Sequence, residues 1–292
     1  MTALPQMYRS FLQEYRKAIR TQLAFHLGFG ALFAAELLAL LLFFPTLSHS
    51  AFFAFAVGAL FLTCFTYFVL LFYFQANKPA QYRALRSQLT QEGQPHLSTA
   101  HSLLELASYL DSEEAPISGI LAPVTNRLIE RDLLRMKLLL AEQAVEEHLE
   151  QVRETPLDLE VHMSLGNAYV LLAKWLKERS AKASQEATRL AMQEYLILNQ
   201  VAPHDPWVQE QLADGYRELG ERHEELRQME RLRELKPQDP NLMLRLGRLS
   251  FELGHVAQGL KLYDELRTRE PAHADVLMSC YGRAKRAYSE EI

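Results

Sequence analysis

The sequence repeats itself at a spacing of 34 residues in its C-terminal half. LADGYRELG at 212–220 and LGRLSFELG at 246–254 are 34 residues apart, and the Asp-Pro pair at 205–206 recurs at 239–240. Asp before Pro favours a helix start, because the carboxylate caps free amide groups and proline needs no N–H in the first turn. Leu-Gly favours a helix end, because glycine adopts the left-handed cap conformation without strain. The period therefore predicts a helix–turn–helix unit of 34 residues.

The two glycines of LGRLSFELG need separate explanations, since glycine inside a helix costs about 1 kcal/mol relative to alanine. Gly254 is predicted to cap the end of the first helix. Gly247, like Ala213 at the matching position, is predicted to be small so that a neighbouring helix can approach closely.

A longer copy of the unit precedes these two. It contains LGNAY at 165–169, and it spans 47 residues over 159–205. The excess of 13 residues predicts about two extra turns on each helix, with LAKWLKERSAKAS at 172–184 in the lengthened part. Pro156 is in phase to close a degenerate earlier unit, and residues 274–288 are predicted to form a capping helix.

These units resemble the tetratricopeptide repeat (TPR) family, whose pattern has Leu-Gly and Tyr on the first helix, then Ala, an aromatic residue and Pro on the second. Ser250 stands where Tyr is usual, and Gly259 replaces Ala. The resemblance covers about 156–273 and does not extend to 1–124. It implies an all-α solenoid with repeats at 159–205, 206–239 and 240–273, whose concave face binds proteins.

The resemblance also implies which first-helix side chains lie on that concave face. The candidate partner-binding residues are Met163, Asn167, Val170, Trp207, Glu210, Asp214, Arg217, Leu244, Arg248, Phe251 and Met278. Only Asn167 and Arg245 match the TPR subclass that clamps a C-terminal carboxylate, so no such clamp is predicted. The alternative interpretation is a solvated helix face that binds nothing.

Two apolar runs lie near the N-terminus. Residues 22–44 contain one carboxylate and residues 51–74 contain no charge. About 20 apolar residues span a bilayer as a helix, so both runs are predicted to be transmembrane. The loop PTLSHS joins them as a hairpin. Because Lys and Arg flank the outer ends and are absent from the loop, both termini are predicted to lie in the cytoplasm, in a bacterial inner membrane or a plasma membrane.

Glu36 is the one carboxylate within the two apolar runs. A charge at mid-depth is costly, so such a side chain usually faces protein. Thr63 or Tyr67 is expected to hydrogen-bond it. One interpretation is a protonated carboxyl bonded within the hairpin or across a homo-oligomer, and the other is an ion or proton pathway.

Composition and motifs exclude several classes of function. The net charge is −5, which argues against a nucleic-acid partner. Two cysteines are too few for a disulfide framework or a multi-cysteine zinc site. HEEL at 223–226 lacks a second histidine at zinc-binding spacing. Neither a metal, a cofactor nor a catalytic centre is predicted. Trp175 among basic residues is either a contact for a membrane or partner, or part of a solvated helix end.

The predicted fold class is therefore all-α, with a transmembrane hairpin in 1–74, a helical linker in 75–124 and a TPR-like domain in 125–292. The linker is expected to hold helices at about 79–91 and 97–110. The chain is predicted to be a membrane-anchored scaffold that binds protein partners on the cytoplasmic face or assists assembly of a membrane complex. The alternative is an accessory subunit of a transport or secretion machine, in which the hairpin is the active part.

Overall fold

The computed structural model describes residues 6–47, 52–87, 96–112 and 122–290, and within these ranges all regular secondary structure is α-helical. The all-α prediction is confirmed. The chain divides into two compact units, Met1–Leu140 and Ala141–Ile292, which are described separately.

The described ranges contain eleven helices. The first four are α1 (Gln6–Leu47), α2 (Phe52–Ser87), α3 (His96–Ser112) and α4 (Ala122–Glu154). The repeat region holds α5 (Leu159–Leu176), α6 (Ala181–Val201), α7 (Pro206–Leu219), α8 (Arg222–Leu235), α9 (Pro240–Glu252), α10 (Val256–Arg269) and α11 (Pro271–Glu290).

In the first unit, α1 and α2 pack against each other. Their segments Ala24–Pro45 and Phe52–Tyr73 are each 22 residues long, with a mean hydropathy of 2.3, so both are long and apolar enough to cross a membrane. Large apolar side chains such as Leu42, Phe55 and Phe72 are exposed on their outer surfaces. Residues 48–50 of the predicted connecting loop lie outside the described residues.

The region after the apolar runs differs from the prediction in two places. A separate helix was expected at about 79–91, but α2 continues without a break to Ser87, because no glycine lies between residue 74 and Ser87 to stop it. Residues 141–154 were expected to be the second helix of a degenerate unit, and they form the C-terminal part of the single helix α4. The predicted helix at about 97–110 corresponds to α3.

In the second unit, α5 with α6, α7 with α8 and α9 with α10 form three packed helix pairs, and α6 and α8 contact the first helix of the next pair. The three first helices begin in the same way. Asp158, Asp205 and Asp239 accept hydrogen bonds from the backbone N–H two residues on, at 3.0, 2.8 and 2.9 Å. The spacing of these caps is that of the sequence repeat. The chemistry of the Asp cap therefore fixes where each unit starts.

The first pair is longer than the other two. α5 has 18 residues and α6 has 21, whereas α7 and α8 have 14 each. The extension is therefore about one turn on α5 and two on α6, not two turns on each. Residues 172–184 form the end of α5, the turn and the start of α6. Gly220 and Gly254 end the two shorter first helices with φ of 77° and 78°, in the left-handed region.

The last helix covers the third pair. α11 packs on α9 and α10, and a Cβ atom on Gly247 would lie 2.7 Å from Leu277 Cδ2. Gly247 is thus the predicted point of close approach. α11 was expected to begin at 274, and it begins at Pro271 instead. No Asp-Pro pair stands at 273–274 to start a helix there, and proline is accommodated in a first turn.

Candidate functional site: a cleft between three helices

The candidate residues recur at equivalent positions on the first helices. The stripe on α5 contains Met163, Asn167 and Val170, at spacings of four and three residues that place them on one face. The equivalent stripe on α7 contains Glu210, Asp214 and Arg217. Met163 is 36% exposed and Val170 41%, and the Asn167 side chain is also exposed. This part of the predicted face is accessible.

The remaining candidates are less uniformly exposed. Arg217 and Arg248 are exposed, whereas five side chains are half-buried: Trp207, Glu210, Asp214, Leu244 and Met278. Leu244 packs against the core of the third repeat.

Phe251 does not lie on an open face. It is 2% exposed and belongs to the core cluster around α9 and α10. Its ring packs where Gly259 has no side chain, and its centroid lies 4.8 Å from that of Tyr281. Glycine in place of the usual alanine leaves room for this ring, and α11 closes over it. Phe251 is therefore a core residue.

A cleft of about 290 Å³ opens between α5, α6 and α7. It joins part of the predicted face, Val170, Asp214 and Arg217, to the lengthened segment of α5 and α6. The walls from α6 are small at spacings of four and three, with Ser184, Thr188, Ala191 and Met192. That stripe of small residues was the available sequence signal for the cleft, and the repeat pattern alone did not reveal it.

The floor of this α5–α6–α7 cleft presents few free polar groups. The Ser184 hydroxyl donates to the Ala173 carbonyl at 2.8 Å, and the Thr188 hydroxyl donates to the Ser184 carbonyl at 3.0 Å. Because these donors are satisfied internally, the floor behaves as an apolar surface. It suits an apolar side chain better than a polar ligand.

Tyr195 connects the floor to both stripes. Its hydroxyl donates to Asn167 Oδ1 at 2.9 Å, and its ring meets Trp207 edge-on with centroids 5.7 Å apart. Burial raises the pKa of the Tyr195 hydroxyl, so the group stays protonated and can donate. Tyr195 thereby fixes the orientation of two candidate residues from different helices.

Charged groups surround the mouth of the cleft. Lys177 Nζ lies 2.7 Å from Glu218 Oε2, and this ion pair links the C-terminal ends of α5 and α7. Asp214 Oδ1 lies 2.6 Å from Arg245 Nη1. Arg245 also donates to Glu225, which is 2% exposed. The Asp214 carboxylate is thus held by an arginine that is itself anchored on a buried carboxylate.

Trp175 contributes no surface near this mouth. It is 2% exposed, so its ring is part of the core and cannot contact a membrane or a partner. The basic residues around it in sequence, Lys174, Lys177, Arg179 and Lys182, are exposed.

The apolar hairpin contains a second group of polar contacts. Thr63 Oγ1 donates to Glu36 Oε1 at 2.8 Å, so the carboxyl has a partner within the same hairpin, as expected. Tyr67 bonds elsewhere, with its hydroxyl 3.0 Å from His26 Nδ1. Among the residues that the structure describes, no group of three or more His, Cys, Asp or Glu side chains is placed to hold a metal ion.

The described part of the chain is therefore an α-helical repeat protein with an apolar helical hairpin near its N-terminus. No protein-family model matches the sequence, and no curated protein matches it. A similar solved structure is that of a thermophilic TPR protein of Thermus thermophilus. It shares 22% sequence identity, covers 64% of this chain and 91% of its own, and has a TM-score of 0.37. The repeat architecture rests on the chain's own caps and helix pairs.

Proposed function

We propose that this protein is a membrane-anchored scaffold that binds a protein partner through the α5–α6–α7 cleft and the adjoining stripes of α5 and α7. The hairpin of α1 and α2 would hold it in the bilayer. The cleft is the observation that carries the proposal, because it combines an apolar floor, charged walls and accessible residues of the expected binding face. Assembly of a membrane complex on the cytoplasmic side is the role that fits these parts.

The hairpin supports the anchoring role through its surface. Segments of 22 residues with exposed large apolar side chains bury that surface favourably in hydrocarbon. The segment 141–292 carries 27 acidic and 20 basic side chains, so it is not expected to adhere to anionic lipid by itself.

Site-specific photo-crosslinking in native membranes tests the binding site. A benzoylphenylalanine in place of Val170 in the full-length chain should crosslink a partner protein. The matched control is Ile197 on α6, which is 37% exposed and does not line the cleft. Crosslinks from position 170 alone are expected. Equal crosslinking at both positions, or none at 170, would show that the cleft is not the binding site.

A topology reporter tests the expected orientation. The flanking Lys and Arg residues predict that residue 292 faces the cytoplasm. A reporter enzyme that is active only outside the cytoplasm should therefore remain inactive when fused after Ile292. An active fusion would place the repeats on the opposite side of the membrane.

The alternative, a transport subunit in which the hairpin is active, makes a different prediction. Replacing residues 6–87 by an unrelated two-span anchor should preserve the crosslink from position 170 and the biological function if the hairpin only anchors. Loss of function with the crosslink retained would favour the transport subunit. The bond between Thr63 and Glu36 favours the anchor, since it stabilises the two helices against each other.

A further inference from the structure

We propose that the occupant of the α5–α6–α7 cleft is an acidic segment of the partner protein. A large apolar side chain of this segment enters the cleft, and a neighbouring carboxylate pairs with Lys177. The inference rests on the proposed function and specifies the chemistry of its partner.

The size and floor of the cleft define the apolar part of the ligand. Its volume of about 290 Å³ lies at the lower limit of typical small-molecule pockets, about 300 Å³. Val170, Ala191 and Met192 provide apolar walls, and the hydroxyls of Ser184 and Thr188 are already bonded. Such a space accepts one or two side chains of a peptide and offers little to a polar metabolite.

The charge around the mouth defines the polar part. Residues 174–182, KWLKERSAK, contain four basic side chains and one acidic side chain. They lie in a segment, 141–292, in which acidic residues outnumber basic ones by seven. This local excess of positive charge attracts an acidic ligand and repels a basic one.

The ion pair between Lys177 and Glu218 provides an exchangeable contact. Both side chains line the cleft, and they are 65% and 45% exposed. Exposed pairs are weak and are screened by salt. A carboxylate of the partner can therefore replace Glu218 at the Lys177 ammonium, after which Glu218 is released to solvent.

The same region is poorly suited to a lipid surface. Interfacial segments insert exposed aromatic or large aliphatic side chains beside their basic residues. Trp175, the aromatic residue of this stretch, is 2% exposed, and Leu176 is half-buried. The basic residues therefore lack an exposed apolar partner for membrane insertion.

Peptide selection tests the inference. The full-length protein, held in nanodiscs of phosphatidylcholine, is used to select from a random library of displayed peptides. We expect enrichment of sequences in which Asp or Glu flanks a large apolar residue. A selected peptide, labelled with fluorescein, then serves as the probe for affinity measurements by fluorescence anisotropy.

Three variants assign the selected binding to the cleft. Lys177→Glu should weaken binding by about fivefold or more, whereas Lys261→Glu, the same charge reversal on an exposed residue of α10, should change it less than about twofold. Glu218→Gln should strengthen binding by about two- to fivefold, because the peptide no longer competes with the internal ion pair. Circular dichroism of each variant checks that it is folded.

Several results would overturn the inference. Selected peptides without an excess of acidic residues would do so, as would equal effects of Lys177→Glu and Lys261→Glu. Capture of phosphatidylserine vesicles through Lys177, without any acidic peptide being selected, would show that the occupant is lipid. If position 170 crosslinks a protein while acidic peptides fail, only the chemistry of the ligand is wrong. If position 170 crosslinks nothing, the proposed function itself fails.

Discussion

His162 and Glu194 meet between α5 and α6, where Nδ1 of the histidine lies 2.6 Å from Oε2 of the glutamate. The other ring nitrogen lies 3.0 Å from the carbonyl oxygen of Pro156. Because both partners are acceptors, the ring makes both hydrogen bonds only as the doubly protonated cation. Gln209 occupies the matching position on α7 and donates to the Pro203 carbonyl at 2.9 Å. The second unit therefore makes the same backbone contact without a titrating group.

This relationship predicts pH-dependent stability. Burial lowers the pKa of His162, but Glu194, the Pro156 carbonyl and Asp158 together raise it above its ordinary value. The folded pKa thus exceeds the unfolded value of about 6.5, so the stabilisation is complete below that pH and is lost as pH rises through the folded pKa. We expect the melting temperature in detergent to fall over this range.

The matched variants for this prediction come from the chain itself. His162→Gln copies the second unit and should flatten the pH dependence between about pH 6 and pH 8. His204→Gln changes an exposed histidine in the turn before α7 and should leave the slope unchanged. An unaltered slope in His162→Gln would show that the ring is not charged in the folded protein.

Phe251 and Arg248 should respond oppositely to truncation. Phe251→Ala removes a buried ring that packs against Gly259 and Tyr281, so we expect a loss of about 3–5 kcal/mol of unfolding free energy. Arg248→Ala changes an exposed side chain and should stay within about 0.5 kcal/mol. Urea unfolding followed by circular dichroism measures both. Equal stability of the two variants would contradict the burial of Phe251.

Gly247→Leu should overpack the crossing of α9 and α11. A Cβ atom at this position would lie 2.7 Å from Leu277 Cδ2, and Leu277 is itself buried. We expect a cost of about 1–3 kcal/mol and a lower melting temperature. Gly282→Ala is the control, because a Cβ there meets nothing within 4 Å, and it should stabilise the helix by about 0.5–1 kcal/mol. A neutral Gly247→Leu would argue against the close contact.

The Glu36–Thr63 bond should stabilise the hairpin within one chain. Glu36→Leu and Thr63→Val each remove it, and we expect a cost of about 0.6 kcal/mol in a detergent unfolding titration, as for other hydrogen bonds between membrane helices. Glu36→Gln should retain most of the stability, since an amide oxygen can still accept from Thr63. Crosslinking should find the same oligomer content in all three. A drop in oligomer content for Glu36→Leu would show that the bond between chains is the important one.

Local chemistry explains which features were predictable. Asp158, Asp205 and Asp239 act on amides two residues away, and Gly220 bends its own backbone, so the sequence alone reveals the caps. The burial of Phe251 could not be read in this way, because it depends on residues contributed by other helices. The cleft depends on unequal lengths of packed helices and on a missing side chain at Gly215, where a Cβ would meet the Met192 sulfur.

The early start of α11 bears on polymerisation. A first helix in phase with the 34-residue period would begin at 274, and a chain that ended with such a unit would present at its end the surface on which the next unit docks. Two molecules could then stack head to tail, and such non-closing contacts propagate into filaments. Here α11 begins at Pro271 without an Asp cap, and Leu277 and Tyr281 are committed to α9. The out-of-phase helix makes the array self-limiting, so an incoming copy meets no matching surface on which to extend it.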